Sequence, residues 1–146
     1  MFSFEFTIRP SSVLPDHRPL YKITQVLLVL NLASRGKQSS LIRLQLFNWV
    51  LKDSERQQKL LTASKEHQIS FPAWGVDPVL NKALAFAKAD GLILPVAQGF
   101  KLSLLGQQFC ARVIKNGLFE EDRAFLETIG ISVTQKMVDE IVNRWG

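Results

Sequence analysis

Asp77-Pro78-Val79-Leu80-Asn81-Lys82-Ala83-Leu84-Ala85-Phe86-Ala87-Lys88-Ala89-Asp90-Gly91 runs straight into Leu92-Ile93-Leu94-Pro95-Val96, then Ala97-Gln98-Gly99, then Phe100-Lys101-Leu102-Ser103. Asp77 is an N-cap acid and Pro78 suits the first helical position, where the missing N–H is not needed. Val79, Leu80, Ala83, Leu84, Phe86 and Ala87 recur at helical spacing, and Asp90-Gly91 ends the run. The two β-prone stretches around the loop Ala97-Gln98-Gly99 predict a hairpin. A helix that delivers its chain into a hairpin, with helices before and after, predicts a winged helix: a mainly α domain with a small β-hairpin and additional C-terminal helices. That fold serves nucleic-acid binding in some proteins and protein assembly in others, so the fold alone does not decide function.

Working outward, the first long helix is expected from about Leu20 to Ser34, closing at Arg35-Gly36-Lys37. It is apolar on nearly every side from Ile23 to Leu32, which places it in the middle of the domain. A second helix, capped by Ser39 or Ser40, is expected from Leu41 to about Lys52. It has two apolar stripes: Leu41, Leu44, Phe47, Val50 and Leu51 on one, Ile42, Leu46 and Trp49 on the other. The second stripe is covered either by other parts of the chain or by a partner subunit. Asp53 to Ser70 is read as continuing this helix through Leu60-Leu61 before loosening, and Ile69 to Gly75 as an extended segment able to pair with the wing. Trp74 is read as a core plug.

After the wing, helices are expected at about Gln107 to Asn116, Glu120 to Ile129 and Thr134 to Trp145. The last carries Met137, Val138, Ile141, Val142 and Trp145 on one stripe and docks on something apolar. At the other end, Phe2, Phe4, Phe6 and Ile8 alternate with polar residues, predicting a strand that adds to the hairpin or pairs with another subunit. The segmentation is thus residues 1–19 as strand and linker, 20–116 as winged-helix core and 117–146 as helical extension.

A chain of 146 residues, 47% of them hydrophobic, can bury one substantial core. Its single cysteine, Cys110, rules out a disulfide framework within the chain and suits a reducing, cytoplasmic setting. The longest purely apolar run, Val26 to Leu30, is five residues, against roughly 20 for a membrane-spanning helix. The N-terminus lacks the pattern of a secretory leader. Net charge is +5, with 15 Lys/Arg against 7 Asp/Glu in residues 1–115, and 3 against 6 in residues 116–146. A basic body suits phosphate, an acidic tail suits a basic partner, and an ordinary solvated surface accounts for either.

The inventory for chemistry is sparse. His17 and His67 are isolated from each other and from Cys110, which leaves no metal set, and no phosphate-cradling glycine motif occurs. Glu120-Glu121-Asp122 sits at a helix start, where carboxylates suit the dipole. No catalytic, cofactor-binding or metal-binding residue is therefore assigned, and the chain is expected not to be an enzyme. Phosphate-capable cations are Arg35, Lys37 and Arg43 near the first turn, and Lys82, Lys88 and Lys101 on the Asp77 helix and wing. The Asp77 helix offers no arginine and the wing tip no charge, which disfavours sequence-specific DNA readout.

Arg18-Pro19-Leu20-Tyr21-Lys22-Ile23-Thr24-Gln25-Val26-Leu27-Leu28-Val29-Leu30, Ser34-Arg35-Gly36-Lys37, Leu41-Ile42-Arg43-Leu44-Gln45-Leu46-Phe47-Asn48-Trp49, Asp77-Pro78 and Asp90-Gly91-Leu92-Ile93 together resemble the small middle component of bacterial ABC three-component systems, including the Lamassu-type anti-phage systems. The likeness spans about residues 18 to 130 and carries no catalytic signature. It implies a subunit held by an SMC-like ATPase and an effector, commonly a nuclease, in an assembly that responds to foreign DNA. The expected partner-facing residues are Ile42, Leu46, Trp49, Met137, Ile141 and Trp145. The alternatives are a winged-helix transcriptional regulator and a condensin-like accessory protein.

Overall fold

A computed structural model describes residues 19–145; the expected strand around Phe2 to Ile8 and most of its linker lie outside the described residues. The order is α1 (Pro19–Leu32), a 3-10 turn (Arg35–Lys37), β1 (Gln38–Ser40), α2 (Leu41–Val50), α3 (Ser54–Glu66), α4 (Pro78–Ala89), β2 (Ile93–Val96), β3 (Gly99–Leu102), α5 (Leu104–Lys115), α6 (Glu120–Ile129) and α7 (Gln135–Trp145). The architecture is mainly helical with one small three-stranded antiparallel sheet of order β1-β3-β2.

Helix α1 is apolar all round because it is surrounded: α2, α4, α5, α6 and β3 all touch it. Every residue from Lys22 to Leu30 is buried. Its polar members find partners, two of them within the helix and one on α6. Thr24 Oγ1 donates to the Leu20 carbonyl, Lys22 Nζ to Gln25 Oε1 at 2.8 Å, and Gln25 Nε2 to Asp122 Oδ2 at 3.0 Å. The last bond ties the acid run at the start of α6 to the central helix. Burial raises the Asp122 carboxyl, opposed by the Gln25 bond and the Lys22 charge.

Four of the sequence expectations are corrected. The second helix stops at Val50 and α3 begins afresh, because Asp53 Oδ1 accepts from the Glu55 amide at 2.8 Å and caps a new helix. The third strand is β1, opposite β3 with Gln38 facing Lys101 and Ser39 facing Phe100, while Ile69 to Gly75 forms no strand. The wing turn is two residues, Ala97-Gln98, since Gly99 already pairs with Val96 and Ser40. Glycine is required there: a Cβ on Gly99 would lie 2.0 Å from the Ser39 carbonyl oxygen. Finally, α5 starts at Leu104, because Ser103 Oγ accepts from the Gly106 amide.

One continuous core joins α1, α2, α4 and the wing to α6 and α7 through Leu27, Leu30, Phe47, Leu80, Leu102, Leu126 and Val138. Trp74 is buried within it, its Nε1 donating to the Ile42 carbonyl. Among the described residues no helix is long and apolar enough to cross a membrane.

Candidate interaction surface

Helix α4 presents Leu80, Ala83, Leu84 and Ala87 to the core and Asn81, Lys82, Ala85, Phe86, Lys88 and Ala89 outward. Its start is fixed by one carboxylate. Asp77 Oδ1 accepts from the Val79 amide at 2.9 Å, and Oδ2 accepts from Asn48 Nδ2 at 3.0 Å and Lys52 Nζ at 2.8 Å. Partial burial pushes this carboxyl up, but the bonds from Lys52, Asn48 and Val79, with the Lys52 charge, more than reverse that and hold it at about 2. From α2, Gln45 completes the clamp: Oε1 accepts from the Asp77 amide and Nε2 donates to Asn81 Oδ1 at 3.1 Å. Asn81, the one amide of α4, is exposed, with its Oδ1 accepting from Gln45. What remains outward is two lysines, alanines and a half-exposed Phe86. Six residues apart, Lys82 and Lys88 lie about 120° from each other around the helix and form no single basic stripe.

The other cations expected to meet phosphate differ in how far they are buried. Arg43, expected near the first turn as a phosphate-capable cation, is buried. Its Nε donates to the Val133 carbonyl, Nη1 to Ser34 Oγ and Ser39 Oγ, and Nη2 to the Ala33 carbonyl, while its guanidinium lies 4.7 Å from the Phe47 ring centre. Burial lowers it to about 10, which leaves it charged at neutral pH. Sequence reasoning placed it on the surface because arginine in an otherwise apolar helix looks like an outward position; only the three segments that converge on it make burial affordable. Lys37 bends back to donate to Asn31 Oδ1 at 2.9 Å. Arg35 and Lys101 are exposed.

The expected partner-facing residues are mostly covered by the chain itself. Leu46 is fully buried, Met137 and Ile141 are buried, and Ile42 packs against the core. Trp49 stands edge-on to Phe71 at 5.0 Å and beneath the Arg56 guanidinium at 4.0 Å. Trp145 is 39% exposed and meets Trp74 edge-on at 4.5 Å. Helix α7 against α2 therefore covers much of the second stripe. The apolar residues left outward are others, chiefly Phe86, Leu94, Leu104 and Val76, each more than half exposed. Phe86 shares the apolar spacing of α4, but its position on the helix turns it outward.

An open cavity of about 640 Å³ lies between the wing turn, β1 and the start of α7, with Arg35, Arg43, Ser39, Gln98 and Thr134 among its lining residues. Among the described residues no cluster of His, Cys, Asp and Glu could hold a metal ion. Cys110 is buried, and its thiol is pushed up to about 12 by desolvation, which the Lys37 charge only partly opposes. No family model, characterised protein or solved structure matches the chain.

Proposed function

We propose that this chain is a non-enzymatic accessory subunit of winged-helix type that binds an SMC-like ATPase and bridges it to an effector in a Lamassu-like anti-phage assembly. The outward face of α4 carries this reading. A helix that reads bases needs arginine or free amide groups directed at base edges. Here Asn81 Oδ1 is bonded to Gln45, α4 has no arginine, and the most exposed large apolar side chain on the helix is Phe86 at 52%. Phe86 and the outward Leu94 of β2 suit an apolar anchor on a protein, with Lys82 and Lys88 suiting an acidic rim. Support for the winged-helix assignment comes from the sheet order β1-β3-β2, with β1 between the first two helices and the hairpin directly after α4. A cytoplasmic location accords with a partner that acts on DNA.

The test is co-expression with a coiled-coil ATPase encoded beside this gene. Wild-type chain is expected to co-purify with it, and Phe86→Asp to lose that partner while melting normally alone. Failure of the wild type to co-purify refutes the reading. Duplex DNA is expected to bind weakly, with steep salt dependence and no sequence preference. A defined operator preferred by about a thousandfold or more over other sequences would replace this reading with a transcriptional regulator.

A further inference from the structure

We propose that the cavity between the wing turn and the start of α7 binds a small phosphate ester, held by the guanidinium groups of Arg35 and Arg43. The inference rests on an uncompensated buried charge. A buried guanidinium normally meets a carboxylate, because removing it from water otherwise costs several kcal/mol. Arg43 is 4% exposed, and the hydrogen bonds it makes go to neutral acceptors: the carbonyls of Val133 and Ala33 and the hydroxyls of Ser34 and Ser39. Those bonds use four of the five N–H donors that a guanidinium carries. Other cations on the domain do find acids, Lys52 at Asp77 and Arg56 at Asp53.

Arg35 lines the same cavity, and among the described residues no acidic one does. Two positive charges lining an open concave space, without a counter-charge among the described residues, raise its potential above that of a flat surface. A phosphate monoester, which carries between one and two negative charges at neutral pH, matches that deficit better than a monocarboxylate does. Gln98 and Thr134 add polar groups around it, and Val96, Ile131 and Val133 form an apolar wall for the rest of the ligand. The volume is that of an ordinary small-molecule site. A duplex backbone is a poor occupant, because Arg43 lies too deep for a convex surface to reach. This site does not depend on the accessory-subunit reading.

Titration of the full chain with inorganic phosphate, AMP and adenosine, followed by calorimetry and amide chemical shifts, tests it. AMP is expected to bind with a dissociation constant of about 1 mM or tighter, inorganic phosphate more weakly, and adenosine not at all. Shifts should centre on Ser39, Gln98 and Thr134. Arg35→Ala, a change at an exposed turn, should weaken AMP by about tenfold, while Lys115→Ala, away from the cavity, should leave it unchanged. No saturable binding of AMP or phosphate, or an AMP affinity indifferent to Arg35→Ala, would each overturn the proposal.

Discussion

Asp77→Ala should be among the most damaging single changes on the surface of this domain. The carboxylate caps α4 through the Val79 amide and accepts from Lys52 and from Asn48, whose side chain is buried. Loss of the cap costs about 1 kcal/mol. The Lys52 pair adds about 0.5 kcal/mol, a small figure because Lys52 is 35% exposed. Asn48 Nδ2 loses its acceptor in a buried position, which costs about 1–2 kcal/mol. The total of about 3 kcal/mol is a large part of the 5–15 kcal/mol typical of a domain, and in urea it should lower the midpoint by about 1.5 M. Asp77→Asn keeps an oxygen acceptor and a good cap, and should cost only about 1 kcal/mol.

The pH dependence follows from the carboxyl held at about 2 in the fold against its ordinary value of 3.8. A depressed carboxylate contributes stability that is complete above its unfolded value and is lost as pH falls towards its folded one. Wild type should therefore lose its advantage over Asp77→Asn between about pH 4.5 and 2, by roughly 1–1.5 kcal/mol once the partial exposure of Lys52 is allowed for. Urea melts of the three proteins at several pH values decide the matter. An Asp77→Ala chain within about 0.5 kcal/mol of wild type, or a wild-type advantage that persists to pH 2, would refute the assignment of this carboxylate as the clamp between α2 and α4.

Gly106→Ala should destabilise by about 2 kcal/mol or more, because a Cβ there would lie 2.3 Å from the Leu92 carbonyl oxygen, a backbone atom unable to move aside cheaply; a thermal melt checks it. Cys110 should resist iodoacetamide at pH 8 in the native chain and react after unfolding in guanidinium, since burial keeps its thiol protonated; mass spectrometry reads the difference. Trp49→Asp should lower stability by about 2–4 kcal/mol through its lost contacts with Phe71 and Arg56. A lone mutant that melts like wild type would return that side of α2 to a partner.

Local chemistry was enough to place α4, the hairpin, and the cores of α1, α6 and α7. Asp77-Pro78 and Asp90-Gly91 act within a few residues of themselves, and apolar periodicity depends only on the chain's own helix geometry. The core role of Trp74 was also legible, as a large apolar side chain in apolar surroundings. Long-range partners decided the rest. Three polar residues, Gln38–Ser40, become a strand only because β3 lies beside them, and intrinsic propensity carries no trace of that pairing. Arg43 is internal because Val133, distant in sequence, joins the nearby Ser34 and Ser39 around its guanidinium. The Ile42, Leu46 and Trp49 stripe lay open between self and partner until α7 and Phe71 were seen against it. Sequence patterning determines which faces must be covered; only the fold determines what covers them, because burial is a property of segments brought together across the chain.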